Sequence, residues 1–340
     1  MTMAREPSHS RTEIVGEATS IAHAAVASDA ADVGARLHTE TGSEIASPPM
    51  LDPFGSAGFE ERTVSNGDVR LRCVTAGPAD GKLSLFLHGF PARWSTWRGI
   101  LPAFARAGYL AVAPDLRGYG ASDRPKGVDS YSVPRLVEDV IAILDAFGRE
   151  RAFVVGHDMG GGLTWSVAMA HPERVERLAI LNSVHPVGFE RQMRHWSQIK
   201  KSWYALFFLL PWLPEWWLSR RDFRFVHRSL MADGLPDDVV RDLLEGIRPP
   251  GALHAGLDWY RASFRDATRK RLVLTNVDLP TLVVWGDREN HLDPELATPP
   301  ADWVSQARVE HVPEAGHWVQ HDAPDKVSAL LLSHAAGATR

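Results

Sequence analysis

Val154-Val155-Gly156-His157-Asp158-Met159-Gly160-Gly161 is the stretch whose reading decides the fold. The apolar run 152–155 reads as a short buried strand, the glycines as a tight turn, and 163–170 has the apolar spacing of a helix. Strand, sharp turn and helix leave one reactive side chain at the apex. The spacing is that of a nucleophile elbow, G-x-nucleophile-x-G, in which small flanking residues let the backbone bend tightly enough to expose the central side chain. The central residue is Asp158, not Ser. A carboxylate attacks an electrophilic sp³ carbon and becomes an ester, which water must then hydrolyse. A glycine turn with Asp as an ordinary helix N-cap would give a similar string, so the surrounding motifs carry the weight.

Three further strand-to-loop junctions supply them. His88-Gly89-Phe90-Pro91 follows an apolar strand over 83–87, Gly286-Asp287-Arg288-Glu289 follows one over 281–285, and Gly316-His317-Trp318 follows one over 308–312. Nucleophile, acid and histidine therefore come in a defined chain order, behind a loop suited to an oxyanion hole. On these motifs the chain resembles, over roughly residues 60 to 336, the α/β-hydrolase superfamily, and within it the epoxide hydrolase and dehalogenase branch. The resemblance implies an α/β fold, with a mostly parallel sheet, helices on both faces and an inserted helical lid.

The rest of the pattern agrees with an alternating architecture. Residues 63–64 and 69–76, joined at Asn66-Gly67, read as a β-hairpin. A helix is expected over 94–107, a strand over 110–114, and a helix over 133–147 with Leu136, Val140, Ile143 and Leu144 on one face. A strand over 178–181 follows the elbow helix, and alternating strands and helices imply a parallel sheet. The alternation stops at 186 and resumes past 271, so the expected core is 59–185 with 272–340, and 186–271 is the expected lid. That segment holds Trp196, Trp203, Trp212, Trp216, Trp217 and Trp259, half of the 12 Trp, most of which suit the small core of a helical subdomain.

Composition narrows the function classes. A chain of 340 residues buries a large core, as one big domain or one domain with an insertion. A net charge of -5 without a basic patch gives no reason to expect nucleic acid. The single Cys73 excludes an internal disulfide framework and reads as a small buried hydrophobe. No continuous apolar run near the N-terminus suggests a secretory signal, so a cytoplasmic protein is expected. The longest apolar stretch, 206–218, holds Pro211, Pro214 and Glu215 and is too short and broken for stable membrane insertion. Residues 1–58 are rich in Ala, Ser, Thr, Glu and His, with no aromatic before Phe54, and read as a disordered extension with at most a weak helix over 21–37. A homodimer is left open.

The resemblance assigns roles residue by residue. Asp158 is the nucleophile. His317 activates the hydrolytic water, because a carboxylate needs no deprotonation. The third member falls on Glu289 where related enzymes usually carry Asp, and Asp287 and Asp293 remain alternatives because Glu is one methylene longer. Some relatives place the acid after the preceding strand, where this chain has Asn182 and Ser183. The backbone N–H groups of Phe90 and Met159 would form the oxyanion hole. Met159 departs from the Trp or Arg usual at that position and should soften the pocket.

Within the lid, residues 202–211 and 257–262 resemble the segments that bear the two lid tyrosines of epoxide hydrolases, here Tyr204 and Tyr260. An epoxide keeps its leaving oxygen attached, so two phenols facing the carboxylate suit ring opening. Leu209 departs from the Gln often found in the first segment. His88, Pro91, Trp203, Phe207, Trp259 and Trp318 are expected around the substrate, although His88, like Arg117, also reads as a loop organiser. No His/Cys/carboxylate cluster has metal-ligand spacing, and no cofactor is expected. The implied activity is hydrolysis of a small hydrophobic epoxide to a vicinal diol. A dehalogenase using the same triad on a haloalkane or haloacid is the alternative, and a non-catalytic binding protein on the same scaffold is a weaker one.

Overall fold

Eight strands form one sheet: β1 (Glu60–Asn66), β2 (Val69–Ala76), β3 (Lys82–Leu87), β4 (Tyr109–Pro114), β5 (Ala152–His157), β6 (Val175–Leu181), β7 (Thr281–Gly286) and β8 (Ala307–Val312). Their order is β1-β2-β4-β3-β5-β6-β7-β8. The β1–β2 and β2–β4 pairs are antiparallel and the others parallel. The structure is a computed structural model that describes residues 58–337, so the extension expected over 1–58 lies, but for Gly58, outside the described residues.

Strand pleating explains why β5 and β7 read as continuous apolar runs. Successive side chains point to opposite faces, and both faces are covered. Leu85, Val154, Ile180 and Val283 pack in one cluster with Leu136, Val140 and Ile143 of the helix Val133–Ala146 and Leu163 of the helix Met159–Ala170. Phe86, Val155, Leu181 and Val284 pack in the other with Phe104 of the helix Leu101–Arg106 and Val327 and Leu331 of the helix Pro324–Ala335. In register, Val154 lies between Leu85 of β3 and Leu178 of β6, which puts the end of β5 at the middle of the sheet edge.

Several expected elements differ in detail, among them β6, which begins at Val175 rather than at 178. The helix expected over 94–107 divides into a 3₁₀ turn at Trp94–Trp97 and the short helix Leu101–Arg106. Pro102 lacks a backbone donor and fits a first turn, so it starts a new helix rather than continuing one. The strand β1 is longer than expected because Glu60 to Asn66 pairs with Val69 to Thr75 of β2.

Between β6 and β7 the chain is helical, with helices Pro186–Gln192, Trp196–Lys201, Trp203–Phe208, Leu213–Ala232, Asp237–Leu244 and Ala252–Thr268. The longest of these breaks at 220–223, where Arg221, Asp222 and Phe223 take positive φ. Among the described residues no helix is long and apolar enough to cross a membrane.

Candidate active site

The elbow is built by steric necessity. Asp158 adopts φ 50° and ψ -122°, a conformation that L-residues hold only when their surroundings enforce it. A Cβ on Gly160 would stand 2.2 Å from the Leu87 carbonyl oxygen, so only glycine lets the helix start this close to β3. A Cβ on Gly89 would stand 2.3 Å from Asp158 Oδ2, so glycine also lets the opposite loop reach the carboxylate. Behind the turn, the Ser183 hydroxyl donates to the Asp158 carbonyl oxygen at 2.6 Å.

The Asp158 carboxylate already lies among donors. The Phe90 N–H donates to Oδ2 at 2.9 Å, and the Met159 N–H is a second backbone donor to the same carboxylate. Burial raises its pKa above the ordinary value, opposed by His317 and by the two N–H groups. The two backbone groups expected to form an oxyanion hole thus converge on one side chain.

His317 Nδ1 lies 2.7 Å from Glu289 Oε2. Burial disfavours the imidazolium, but the charge and hydrogen bond of Glu289 outweigh it and push the His317 pKa up to about 9, with a smaller push from Asp158. Burial likewise disfavours the Glu289 carboxylate, yet His317, the His291 N–H at 2.7 Å and the Asn182 side-chain amide at 2.8 Å hold its pKa well below the usual range. The geometry separates the three acids left open by the sequence. Asp287 faces the exposed His311 at 2.5 Å, and Asp293 is held by Gln192, Ser197 and Lys201, so neither is against His317. Asn182, read from the sequence only as a missing acid, has a positioning place. It accepts from the Gly286 N–H at 3.0 Å while donating to Glu289, tying the end of β6 to the loop after β7.

Tyr204 and Tyr260 meet edge to face, with ring centroids 6.5 Å apart. Burial, then the Asp158 charge, raises both phenol pKa values, so both hydroxyls stay protonated at neutral pH and share their surroundings with the carboxylate. Phe208 packs on Tyr260 at 5.1 Å and on Phe90 at 5.7 Å, bridging inserted helix and loop.

Comparison with known proteins places the chain in a family. The family described as alpha/beta hydrolase fold matches residues 85–324. The AB hydrolase superfamily protein YfhM of Bacillus subtilis is 34% identical, over 82% of this chain and 98% of that protein. Human epoxide hydrolase 4 is 33% identical, over 82% of this chain and 78% of its own length. The crystal structure of a Bacillus megaterium epoxide hydrolase in complex with an inhibitor superposes with a TM-score of 0.73 at 28% identity, covering 80% of this chain and 99% of that one. The chain is an α/β hydrolase of the epoxide hydrolase branch.

Not every residue expected around the hydrolase's substrate lies there. His88 is fully enclosed: Nε2 accepts from the Leu116 N–H at 3.0 Å, which leaves Nδ1 to donate to the Gly89 carbonyl at 2.9 Å. It frames the loop and, with burial holding its pKa down at about 4, stays neutral. Trp203 is 52% exposed and its ring meets Phe207, not the tyrosines. The reason is helical phase: Tyr204 and Phe208, four apart, share the inward face, and Trp203 and Phe207 share the next one. Phe208 therefore takes the place expected of Phe207. Trp259 is buried and donates its indole N–H to the Arg117 carbonyl at 2.9 Å, so it anchors the helix Ala252–Thr268 to the core. Pro91 is buried beside the Phe90 N–H, and Trp318 packs on the rings of His317 and His157.

Two further groups stand beside His317, of which the sequence pointed only to His157, as a residue flanking the pocket. Asp233, in the inserted helical region, lies 3.1 Å from His291 Nε2 and accepts from the Trp318 indole at 3.4 Å, joining that region to the loop that carries Glu289. His157, next to the elbow, donates from Nε2 to the His317 carbonyl at 2.9 Å and fixes that backbone. Asp233 belongs to no spacing motif, His157 fills a variable position of the elbow, and the partners of both are remote in sequence. Among the described residues no group of His, Cys, Asp and Glu is arranged to hold a metal ion.

Proposed function

We propose that this hydrolase opens an epoxide to a vicinal diol through an ester on Asp158. Asp158 Oδ attacks one ring carbon, the ring C–O bond breaks, and Tyr204 and Tyr260 donate to the oxygen left behind. His317, held by Glu289, then removes a proton from water as that water attacks the ester carbonyl carbon. The Phe90 and Met159 N–H groups hold the oxyanion. As the intermediate collapses its bond to the alkyl oxygen breaks, that oxygen takes the proton held by His317, and the proton of the added hydroxyl replaces the one a phenol gave to the epoxide oxygen, so the diol leaves and the carboxylate is restored. The helical segment 186–271 supplies the two phenols and acts as the cap over the site.

The observation that carries this reading is the pair of half-buried phenols that meet edge to face beside the loop of Phe90 and whose pKa values burial and then the Asp158 charge raise. A halide leaving group would call for indole or amide donors instead. The Trp259 indole is already engaged by the Arg117 carbonyl and the Trp318 indole by Asp233, which favours the epoxide over the halide. The apolar neighbours Phe90, Phe208 and Met159 suit a small hydrophobic substrate.

The test is substitution of the phenols. Tyr204→Phe or Tyr260→Phe is expected to slow ester formation by about 10- to 1000-fold, the usual cost of a lost transition-state donor, and the double variant by more than either alone. Hydrolysis of ester already formed should barely change. Wild-type rates of epoxide opening in the double variant would make the tyrosines packing residues and move the assignment to carbon–halogen substrates.

The charge balance also predicts how His317 becomes a base. In the resting site Asp158 and Glu289 both favour its protonation. Esterification neutralises Asp158, so the His317 pKa must fall when the base is needed. An NMR titration of the resting enzyme should place His317 at about 9, and Glu289→Gln should move it down. The sign for stability follows. A raised histidine pKa stabilises the fold fully below about pH 6.5, and that contribution is lost as pH rises through about 9. Thermal midpoints of the wild type should therefore drop between about pH 7 and about pH 10 more than those of Glu289→Gln.

A further inference from the structure

The helices inserted between β6 and β7 carry an outer face that the reaction does not use. Trp196, Trp203, Trp212, Trp216 and Phe225 are all exposed, Trp212 most, at 71%. Two of the set, Trp203 and Phe225, are joined through the half-buried rings of Phe207 and Trp217. The Trp203 ring meets Phe207 at 6.4 Å, Phe207 meets Trp217 at 5.5 Å, and Trp217 meets Phe225 at 4.0 Å. Single exposed apolar residues are ordinary, but a connected run marks a contact surface.

The same stretch is basic. Residues 191–228 hold eight Lys or Arg against two carboxylates, in a chain whose net charge is -5. Arg194, Lys200, Arg220, Arg221, Arg224 and Arg228 are exposed, and no carboxylate of the described residues pairs with them. Cations and indoles interleave: Arg220 lies over the Trp216 ring at 4.5 Å and Lys200 over the Trp196 ring at 5.7 Å.

We propose that this face rests on an anionic lipid bilayer. Indoles settle at the level of the headgroups, where an apolar ring and a polar N–H are both satisfied, and arginine and lysine are drawn to anionic headgroups. No described helix spans a membrane, so the contact is peripheral. A second copy of this chain is a poorer occupant, because a two-fold contact would press one basic face against another.

The inference is independent of the reaction proposed above, and its test reads binding alone. The full chain is sedimented with phosphatidylcholine vesicles, with or without about 30% phosphatidylglycerol. Anionic vesicles should pellet it about tenfold better, with a blue shift of tryptophan emission, and about 0.5 M salt should release it. Trp212→Ser/Trp216→Ser and Arg220→Gln/Arg224→Gln should each weaken binding about tenfold while keeping the wild-type thermal midpoint. Wild-type protein that stays in the supernatant with anionic vesicles overturns the proposal. That holds whether a second copy covers the face or residues 1–57 do, with their eight carboxylates against three arginines. Equal binding by wild type and both variants overturns it as well.

Discussion

Asp158→Asn protein is expected to lose epoxide turnover by at least about 10⁴-fold, as removal of a catalytic nucleophile does elsewhere. An amide is a poor nucleophile, and the two backbone donors at the carboxylate have no ester carbonyl to stabilise without it. The same variant should keep or raise its thermal midpoint. The wild-type carboxylate is half-buried and burial raises its pKa, a cost in stability that a neutral amide does not carry. Asn also tolerates positive φ better than most residues, so the strained backbone at 158 is retained. Loss of activity with retained stability separates a chemical role from a structural one. Turnover at wild-type rate would sink the elbow assignment and put the nucleophile on another residue.

His317→Gln should stop the reaction halfway. Asp158 needs no base to attack, so ring opening proceeds once and the ester accumulates. Intact mass spectrometry after a short incubation should show a gain of one substrate mass, mapped by proteolysis to the peptide containing Asp158. A second addition of substrate should add nothing further. If the variant forms no ester in a single turnover, His317 acts at or before ring opening, and the order of steps proposed here is wrong.

What the sequence showed, and what it did not, divides along the range of the forces involved. The elbow was legible because its constraint is local: a strand, a turn that only small residues permit, and the start of a helix follow one another directly along the chain. The same is true of β5 and β7, whose burial on both faces turns each into an unbroken apolar run. Both tyrosines were named through segments that resemble those of relatives, while the faces taken by their neighbours were not legible there. Resemblance gives the segment, and helical phase against the core decides that Phe208 turns inward and Trp203 outward.

The sequence by itself determined the strand order of the chemistry, an aspartate at the elbow and a histidine after the last strand. It also held three acids within seven residues, Asp287, Glu289 and Asp293, without the means to choose among them. Only the tertiary structure decided for the proximity of Glu289 to His317, because the choice depends on where each carboxylate finds donors. Asn182 from the end of β6 and the His291 N–H converge on Glu289, while Asp287 and Asp293 are satisfied by other partners. A buried carboxylate is tolerated only where several donors meet it, and such donors come from chain segments about a hundred residues apart, which no local spacing records.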